Sequence, residues 1–255
     1  MLARAVYDSI GQGYAARRQP DPRIAARLAA ALGSARSVLN VGAGSGSYEP
    51  SDRTVVALEP AAVMLAQRAP GSAPAVCGRA EALPFGAGTF DAVQGVLTVH
   101  HWTDRAAGLA ECAQVARNRV VLLTWDPAAE GFWLVKDYLP EFLAVDRRRF
   151  AAIESYQEAF GPGTRVHVAS LPVPRDCRDG FLGAYWARPA SYLDAAVRGG
   201  ISSFARPGWD AGLARLQADL DSGAWRARYG HLLTRPALDI GYRIIVAQLA
   251  GARAA

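Results

Sequence analysis

The chain has 255 residues, of which 51% are hydrophobic, so it is long enough to bury a full core. Lysine and arginine exceed aspartate and glutamate by 28 to 23, which gives a formal net charge of +5. No segment approaches the ~20 uninterrupted apolar residues of a membrane span, and the N-terminus lacks the basic-then-apolar order of a secretory signal. We therefore expect a cytoplasmic protein without a membrane partner.

The positive charge does not by itself predict a nucleic-acid partner. The arginines are scattered apart from Arg17-Arg18 and Arg147–Arg149, and no base-stacking aromatic residues are interleaved with them. A solvated helix face is the favoured explanation for the triple arginine. The three cysteines are far apart, so we expect neither a disulfide framework nor a metal site. The predicted partner is a small molecule, and monomer and homodimer both stay open.

The first predicted element with clear boundaries is a helix. Asp21 is a good N-cap, Pro22 suits the first helical position, and Gly33 supplies a stop after apolar residues that recur on one face. We expect this helix to pack on a sheet. Residues 1–36 are predicted to form N-terminal helices, the earlier part being a lid.

Short apolar runs then alternate with helical patterns, as in βαβ units of a parallel sheet. These runs are Val38–Val41, Thr54–Leu58, Ala75–Cys77, Phe90–Gln94 and Val120–Thr124. They predict a doubly wound α/β sheet.

The pattern changes after Trp125. An aromatic-rich stretch at 132–160 predicts a long helical segment, and Val166–Val168 and Tyr242–Val246 predict two late strands. We place the core at residues 37–175 and 236–250. Residues 176–235 are predicted to form a helical insertion that caps the active site.

A glycine loop follows the first predicted strand. Gly42-Ala43-Gly44-Ser45-Gly46 has three glycines in five residues, which costs backbone entropy unless positive φ or close approach of a ligand is required. Its spacing departs from the Gly-x-Gly-x-x-Gly fingerprint of dinucleotide-binding proteins. A cofactor loop is the favoured interpretation, and a purely structural turn is the alternative.

A carboxylate follows the second predicted strand. Glu59 lies at the carboxyl edge of the sheet beside the glycine loop, where open α/β sheets bind ligands. Its two oxygens can accept hydrogen bonds from both hydroxyls of a ribose. The alternative is a negative charge that only stabilises a helix N-terminus.

Two further motifs, Gly78–Phe85 and Thr89–Val93, complete a set of four. Together with VLNVGAGSGSYEP and VALEP, they resemble the class I S-adenosylmethionine-dependent methyltransferases, in particular the broad UbiE-like group, from about Tyr7 to Trp125. The resemblance implies a Rossmann-like α/β fold of seven mostly parallel strands. It also implies S-adenosyl-L-methionine as cofactor, with S-adenosyl-L-homocysteine as product.

The resemblance also implies a set of cofactor contacts. They are Gly42, Ala43, Gly44, Gly46, Glu59, Pro60, Met64, Arg79, Ala80, Glu81, Val96, Tyr14 and Arg18. In this set Glu59 binds the ribose, Met64 lines the adenine pocket, and Arg18 is a candidate for the carboxylate of the cofactor. Many relatives have Asp at the position of Arg79, so the contact to the adenine amino group differs here.

Adjacent histidines follow the fourth predicted strand. Histidine titrates near neutral pH, so His101 is our first choice, and His100 the second, for a catalytic base that deprotonates the acceptor. Metal binding is disfavoured, because consecutive residues of a strand point to opposite sides. The alternative is that both histidines cap the next helix and pack with Trp102.

The predicted acceptor contacts come from three parts of the chain. They are Tyr7, Trp102, Asp176, Asp179, Tyr185 and Arg188. Acids, aromatic residues and an arginine close together suit an acceptor pocket. A salt-bridged structural turn accounts equally well for Asp176, Asp179 and Arg188.

The sequence thus predicts methyl transfer to a small organic acceptor by in-line displacement at the sulfonium methyl. Three alternatives are an RNA-modifying methyltransferase, a nicotinamide dehydrogenase, and a protein that binds the cofactor as a scaffold or cyclase without transferring a methyl group. The spacing of the glycine loop argues against the dehydrogenase. The acceptor and the methylated atom stay open.

Overall fold

The computed structural model describes residues 18–250. The strands of that range are β1 (Ser37–Val41), β2 (Thr54–Glu59), β3 (Ala75–Cys77), β4 (Phe90–Val96), β5 (Ala116–Trp125), β6 (Arg165–Ser170), β7 (Val173–Pro174), β8 (Ala237–Leu238) and β9 (Tyr242–Gln248). Seven of them form one sheet in the order β3-β2-β1-β4-β5-β9-β6. The first five run parallel, and β9 is antiparallel to both β5 and β6. The predicted Rossmann-like sheet is confirmed.

The α-helices of the same range flank this sheet or form the insertion. They are α1 (Pro22–Leu32), α2 (Ala62–Leu65), α3 (Arg105–Val115), α4 (Pro140–Arg149), α5 (Ser155–Ala159), α6 (Ala195–Arg198), α7 (Asp210–Ser222) and α8 (Ala224–Tyr229). Short 3-10 turns lie at Val99–His101, Leu182–Tyr185, Pro189–Leu193, Ser202–Ala205 and Gly230–Thr234, and a π turn at Leu134–Tyr138. Within residues 18–250 no helix is both long and apolar enough to cross a membrane.

Helix α1 begins and ends where the sequence predicts. The Asp21 side chain accepts a hydrogen bond from the backbone N–H of Arg23, and Gly33 ends the helix with φ +57°. Its apolar face is buried at Ile24 and Leu28, so α1 packs into the core as expected.

The segment after β5 differs from the prediction. The expected long helical stretch at 132–160 is broken into the π turn, α4 and α5. Pro140 lacks a backbone N–H and has a φ that suits the first position of a helix, so a new helix begins there. The prediction of one continuous helical segment was wrong, because apolar composition does not reveal where one helix ends and another begins.

The insertion between β7 and β8 shares its core with this segment. The two short strands pair, with Val173 opposite Leu238. Trp133 contacts the rings of Tyr192, Trp225 and Tyr229 at centroid distances of 5.8, 5.2 and 5.8 Å. The insertion is therefore packed against the protein through aromatic side chains, and its division from the core at residues 176–235 stays a prediction.

Residues 1–17, which include the predicted lid with Tyr7 and Tyr14, lie outside the described residues. The ends of β1, β2 and β4 meet at one edge of the sheet, because these strands are parallel neighbours. This is the edge where doubly wound sheets bind ligands.

Candidate active site

The glycine loop after β1 uses the backbone freedom of its glycines. Gly42 and Gly44 have φ of +67° and +55°, a region that side chains disfavour. A Cβ on Gly42 would also overlap the Thr98 side chain. The backbone N–H groups of Gly42 and Ala43 both donate to the carbonyl of Leu58, at 2.8 and 3.1 Å, which ties the loop to the end of β2.

Glu59 is hydrogen-bonded to the backbone of the glycine loop. Its side chain is buried, and its Oε2 accepts a hydrogen bond from the N–H of Gly44 at 2.9 Å. Its Oε1 accepts one from the N–H of Ala61, also at 2.9 Å. A carboxylate oxygen can accept more than one hydrogen bond, so these contacts are compatible with binding of ribose hydroxyls.

A large cavity opens above this loop, with about 1220 Å³ of empty space counting the part open to solvent. Most of the predicted cofactor residues line it: Arg18, Gly42, Ala43, Gly44, Glu59, Pro60, Met64, Arg79, Ala80, Glu81 and Val96. His101 and Trp102 line it as well. We call this space the cofactor cavity.

Gly46 and Glu81 differ in detail from the prediction. Gly46 is not part of the cavity wall; with φ +102° it shapes the turn, and its N–H donates to the carbonyl of Ala43. Glu81 reaches the wall, but its Oε1 accepts hydrogen bonds from the N–H groups of Thr103 and Asp104, at 2.6 and 3.2 Å. Its side chain therefore fixes the loop before α3.

Several wall residues were missed by the sequence analysis. They are Asn40, Val41, Ser45, Ser47, Tyr48, Leu58, Leu97, Thr98 and Thr103. Ser45 and Ser47 adjoin the glycines and their position was a usable signal. Leu97 has φ +50°, and no sequence signal indicated its position, because leucine does not favour the left-handed region.

A second cavity adjoins the first and shares Arg18 and Leu97 with it. It has about 490 Å³ of empty space, counting the part open to solvent. Its other wall residues are His100, Trp125, Asp146, Phe150, Phe181, Leu182, Ile201, Ser202, Ser203 and Tyr242. Its walls come from the core and the insertion, and we call this space the acceptor cavity after the role that we propose for it below.

The two histidines face different cavities. They belong to the 3-10 turn Val99–His101, with ring centroids 4.0 Å apart; His101 lines the cofactor cavity and His100 the acceptor cavity. The N-cap of α3 is Asp104, so the alternative that histidines cap this helix is wrong. Among the described residues no group of three or more potential ligands is placed to hold a metal ion.

His101 is poorly placed to act as a base. Its Nδ1 lies 3.1 Å from Nη2 of Arg149 and accepts a hydrogen bond, because a guanidinium has only donors. In a neutral ring the proton is then on Nε2. Burial and the charge of Arg149 lower the pKa of His101 to about 3. The nitrogen that would take a proton already has a partner, so this geometry does not favour our first choice of base, and the catalytic role of His101 stays a prediction.

Asp179 binds a wall residue of both cavities without lining either cavity itself. Its side chain is fully buried and accepts hydrogen bonds from Nε of Arg18 at 2.6 Å and from Nη2 at 3.1 Å. The Tyr48 hydroxyl also donates to it, at 2.9 Å. Asp179 is part of neither described wall, so its contacts position Arg18, which lines both cavities.

The other predicted acceptor contacts of the insertion are not among the wall residues of either cavity. Asp176 is exposed and pairs with Arg23 at 2.6 Å. Arg188 donates to the carbonyl of Cys177 at 2.7 Å and lies over the ring of Tyr185. The alternative of a salt-bridged turn of Asp176, Asp179 and Arg188 is not formed among the described residues, since Asp176 pairs with Arg23, Asp179 with Arg18, and Arg188 with backbone carbonyls. Trp102 is in the wall of the cofactor cavity instead.

Comparisons with known proteins identify the family. A family model for a methyltransferase domain matches residues 39–124. A crystal structure from Anabaena variabilis ATCC 29413, of a protein assigned as a methyltransferase of an antibiotic biosynthesis pathway, is 34% identical, with a TM-score of 0.83. The match covers 91% of this chain and 99% of that one. The chain belongs to the class I S-adenosylmethionine-dependent methyltransferases.

More distant structures share the fold of this methyltransferase. Phosphoethanolamine N-methyltransferase 2 of Haemonchus contortus, in complex with S-adenosyl-L-methionine, is 14% identical over 89% of this chain and 52% of that one, with a TM-score of 0.56. The [4+2]-cyclase SpnF is 16% identical over 89% of this chain and 81% of that one, with a TM-score of 0.53. No curated protein matches the methyltransferase.

S-adenosyl-L-methionine is the cofactor of this methyltransferase, and the cofactor cavity fits it chemically. The wall combines a carboxylate, a guanidinium and serine hydroxyls with apolar Leu58 and Met64. Such a set suits a molecule that joins a nucleoside to an amino acid. Gly44 leaves little room for a side chain, since a Cβ there would lie 3.2 Å from Cε of Met64.

Proposed function

We propose that the methyltransferase transfers the methyl group of S-adenosyl-L-methionine to a small organic acceptor held in the acceptor cavity. The observation that carries this proposal is the shared wall: Arg18 and Leu97 line both cavities, so two ligands bound side by side meet there. When bound, the cofactor supplies a methyl group on a positively charged sulfur. The protein has to align an acceptor atom with that methyl group and exclude water.

The residues of the cofactor cavity divide this work. Glu59 would accept hydrogen bonds from the ribose hydroxyls, and the loop from Gly42 to Gly44 would hold the methionyl part. Met64 and Ala80 would provide apolar walls for the adenine. The guanidinium of Arg18, which Asp179 holds in place, would bind the carboxylate of the cofactor.

The acceptor cavity sets the class of the second substrate. Its aromatic and aliphatic walls, which include Trp125, Phe150 and Phe181, suit an apolar body.

A variant with a filled acceptor cavity tests cofactor binding and methyl transfer separately. Ser203 is half-buried and lines only the acceptor cavity, so Ser203→Trp places an indole in that space. We expect unchanged affinity for S-adenosylhomocysteine and at least about tenfold slower methylation, because the acceptor loses its aligned position. Calorimetry measures the affinity for S-adenosylhomocysteine. Mass spectrometry of a metabolite library, scanned for gain of one methylene, measures the methylation rate.

Ser222→Trp at an exposed position of α7 is the matched control. Equal methylation by the two variants would refute the assignment of the acceptor cavity. Turnover of a library compound without formation of S-adenosylhomocysteine would instead indicate a protein that binds the cofactor without transferring its methyl group.

A further inference from the structure

We infer that the acceptor carries an oxyanion, a carboxylate or an ionised hydroxyl, on an apolar body, and that Nε2–H of His100 binds this oxygen in the acceptor cavity. The inference rests on the proposed function and names the substrate class of the same site. It assigns His100 a role as hydrogen-bond donor rather than base.

The orientation of the His100 ring supports this assignment. The ring is stacked on Phe150, with centroids 4.2 Å apart and planes at 25°. Its Nδ1 is buried and has no hydrogen-bond partner among the described residues. Of the two ring nitrogens of His100, only Nδ1 is both buried and unpartnered among the described residues, which leaves Nε2 as the nitrogen that can reach the acceptor cavity.

The proton of the ring belongs on Nε2. Burial, followed by the charges of His101 and Arg149, lowers the pKa of His100 well below its ordinary value, so the ring is neutral at pH 7. A neutral imidazole has one N–H, and a buried N–H without a partner is rarer and more costly than an unpaired lone pair. We therefore assign the proton to Nε2, where a ligand oxygen can accept it.

The charges around this end of the acceptor cavity favour an anion. Arg149 contacts His101, Arg105 donates to the carbonyl of Arg149 at 3.4 Å, and Arg206 donates to Asp146 at 3.3 Å. Nε and Nη1 of Arg206 are buried without a hydrogen-bond partner among the described residues. Among the described residues, the charges of Arg149, Arg206 and Arg105 all lower the pKa of His100, so they disfavour a cation beside this ring and favour an oxyanion.

The remaining charged wall residue does not change this balance. Arg18 lines the acceptor cavity, and its guanidinium is bonded to both oxygens of Asp179. Ser202 and Ser203 can donate further hydrogen bonds to an anion.

An oxyanion needs no base. A lone pair of the acceptor oxygen forms the bond to the methyl carbon, and the bond from that carbon to sulfur breaks with its electron pair going to sulfur. The negative charge of the oxygen and the positive charge of the sulfonium disappear together, and no proton moves. The neutral ester or ether loses its attraction to the arginines, which promotes its release.

Four naphthalene probes of similar shape test the charge preference. They are 2-naphthoate, 2-naphthol, 2-naphthamide and 2-naphthylmethylammonium, titrated by calorimetry into the full chain saturated with S-adenosylhomocysteine. We expect naphthoate to bind at least about tenfold more tightly than the amide or the ammonium. Tight naphthol binding only where its hydroxyl is ionised, with weak naphthoate, would identify an ionised hydroxyl as the oxyanion.

Two charge variants have opposite expected effects. Arg206→Gln weakens naphthoate binding several-fold, whereas Asp146→Asn strengthens it, and neither changes amide binding. Arg226→Gln, which removes the same charge from an exposed position of α8, is the control. Since the negative charge of the acceptor diminishes towards the transition state, Arg206→Gln raises KM for naphthoate methylation without lowering kcat.

Variants of His100 test the hydrogen bond. His100→Leu loses naphthoate affinity, and His100→Gln, whose amide N–H can replace Nε2–H, restores most of it. The affinity for S-adenosylhomocysteine and the melting temperature confirm that each variant is folded.

The inference is overturned if the amide or the ammonium binds as tightly as naphthoate, if no probe binds, or if Arg206→Gln and Arg226→Gln behave alike. Failure of the unmodified protein to bind S-adenosylhomocysteine would instead refute the proposed function itself.

Discussion

Gly42 shows how a single position fixes the cofactor loop. It combines φ +67° with contact to Thr98, so both its backbone and its surroundings exclude a side chain. We expect Gly42→Ala to destabilise the protein by about 3 kcal/mol, the sum of left-handed strain and overpacking, and to abolish cofactor binding. Urea denaturation and calorimetry with S-adenosylhomocysteine measure the two effects.

Gly71 provides the matched control. Its φ is +83°, and a Cβ there would meet no atom within 4 Å. Gly71→Ala therefore isolates the backbone strain, about 1 kcal/mol, and leaves cofactor binding intact. Equal destabilisation by the two substitutions would contradict the role assigned to the contact with Thr98.

Local sequence predicts a residue well when its neighbours along the chain decide its position. Glu59 was placed correctly at the cofactor cavity because strand order alone brings the end of β2 beside the glycine loop. The partner of His101 was not predictable, since Arg149 comes from a helix 48 residues later. The same holds for Asp179 and Arg18, which lie 161 residues apart.

At the scale of elements, the turn Val99–His101 and the end of α4 form a unit that makes stability depend on pH. The folded protein holds the pKa of His101 near 3, below its ordinary value of 6.5. Between these values the unfolded chain binds a proton that the folded chain does not, so stability falls as pH falls through this range. The largest slope from one such histidine is roughly 1.4 kcal/mol per pH unit.

His101→Gln tests this contribution, because glutamine keeps an acceptor for Arg149 but does not titrate. We expect a shallower loss of unfolding free energy between pH 6.5 and 5 than in the unmodified protein, measured by urea denaturation. His167→Gln on β6 removes an exposed imidazole and serves as control. Both variants keep Asp146, whose pKa is raised by burial and contributes with opposite sign. Parallel profiles for His101→Gln and the unmodified protein would rule out this contribution.

Elements with their own start and stop signals were predicted best. The ends of α1 follow from Asp21, Pro22 and Gly33, which act through local backbone geometry. The break of the aromatic segment at Pro140 was missed, because buried aromatic residues occur in both a continuous and a broken helix. Tertiary packing, here around Trp133, decides between them.

At the scale of the whole molecule, the sheet was predictable and the acceptor cavity was not. Alternation of apolar runs with helical patterns is a repeated local signal, and it gave the five parallel strands. The acceptor cavity instead draws its walls from distant parts of the chain, such as Leu97, Asp146 and Ile201. Only the packing of the insertion against the core brings them together.

The central claim, that the glycine loop and Glu59 hold S-adenosylmethionine rather than a nicotinamide dinucleotide, has a direct test. Calorimetric titration of the full chain with S-adenosylhomocysteine and, separately, with NAD⁺ compares the two ligands under one condition. The account predicts saturable binding of S-adenosylhomocysteine, one molecule per chain, and no binding of NAD⁺. Binding of NAD⁺ without binding of S-adenosylhomocysteine would contradict it.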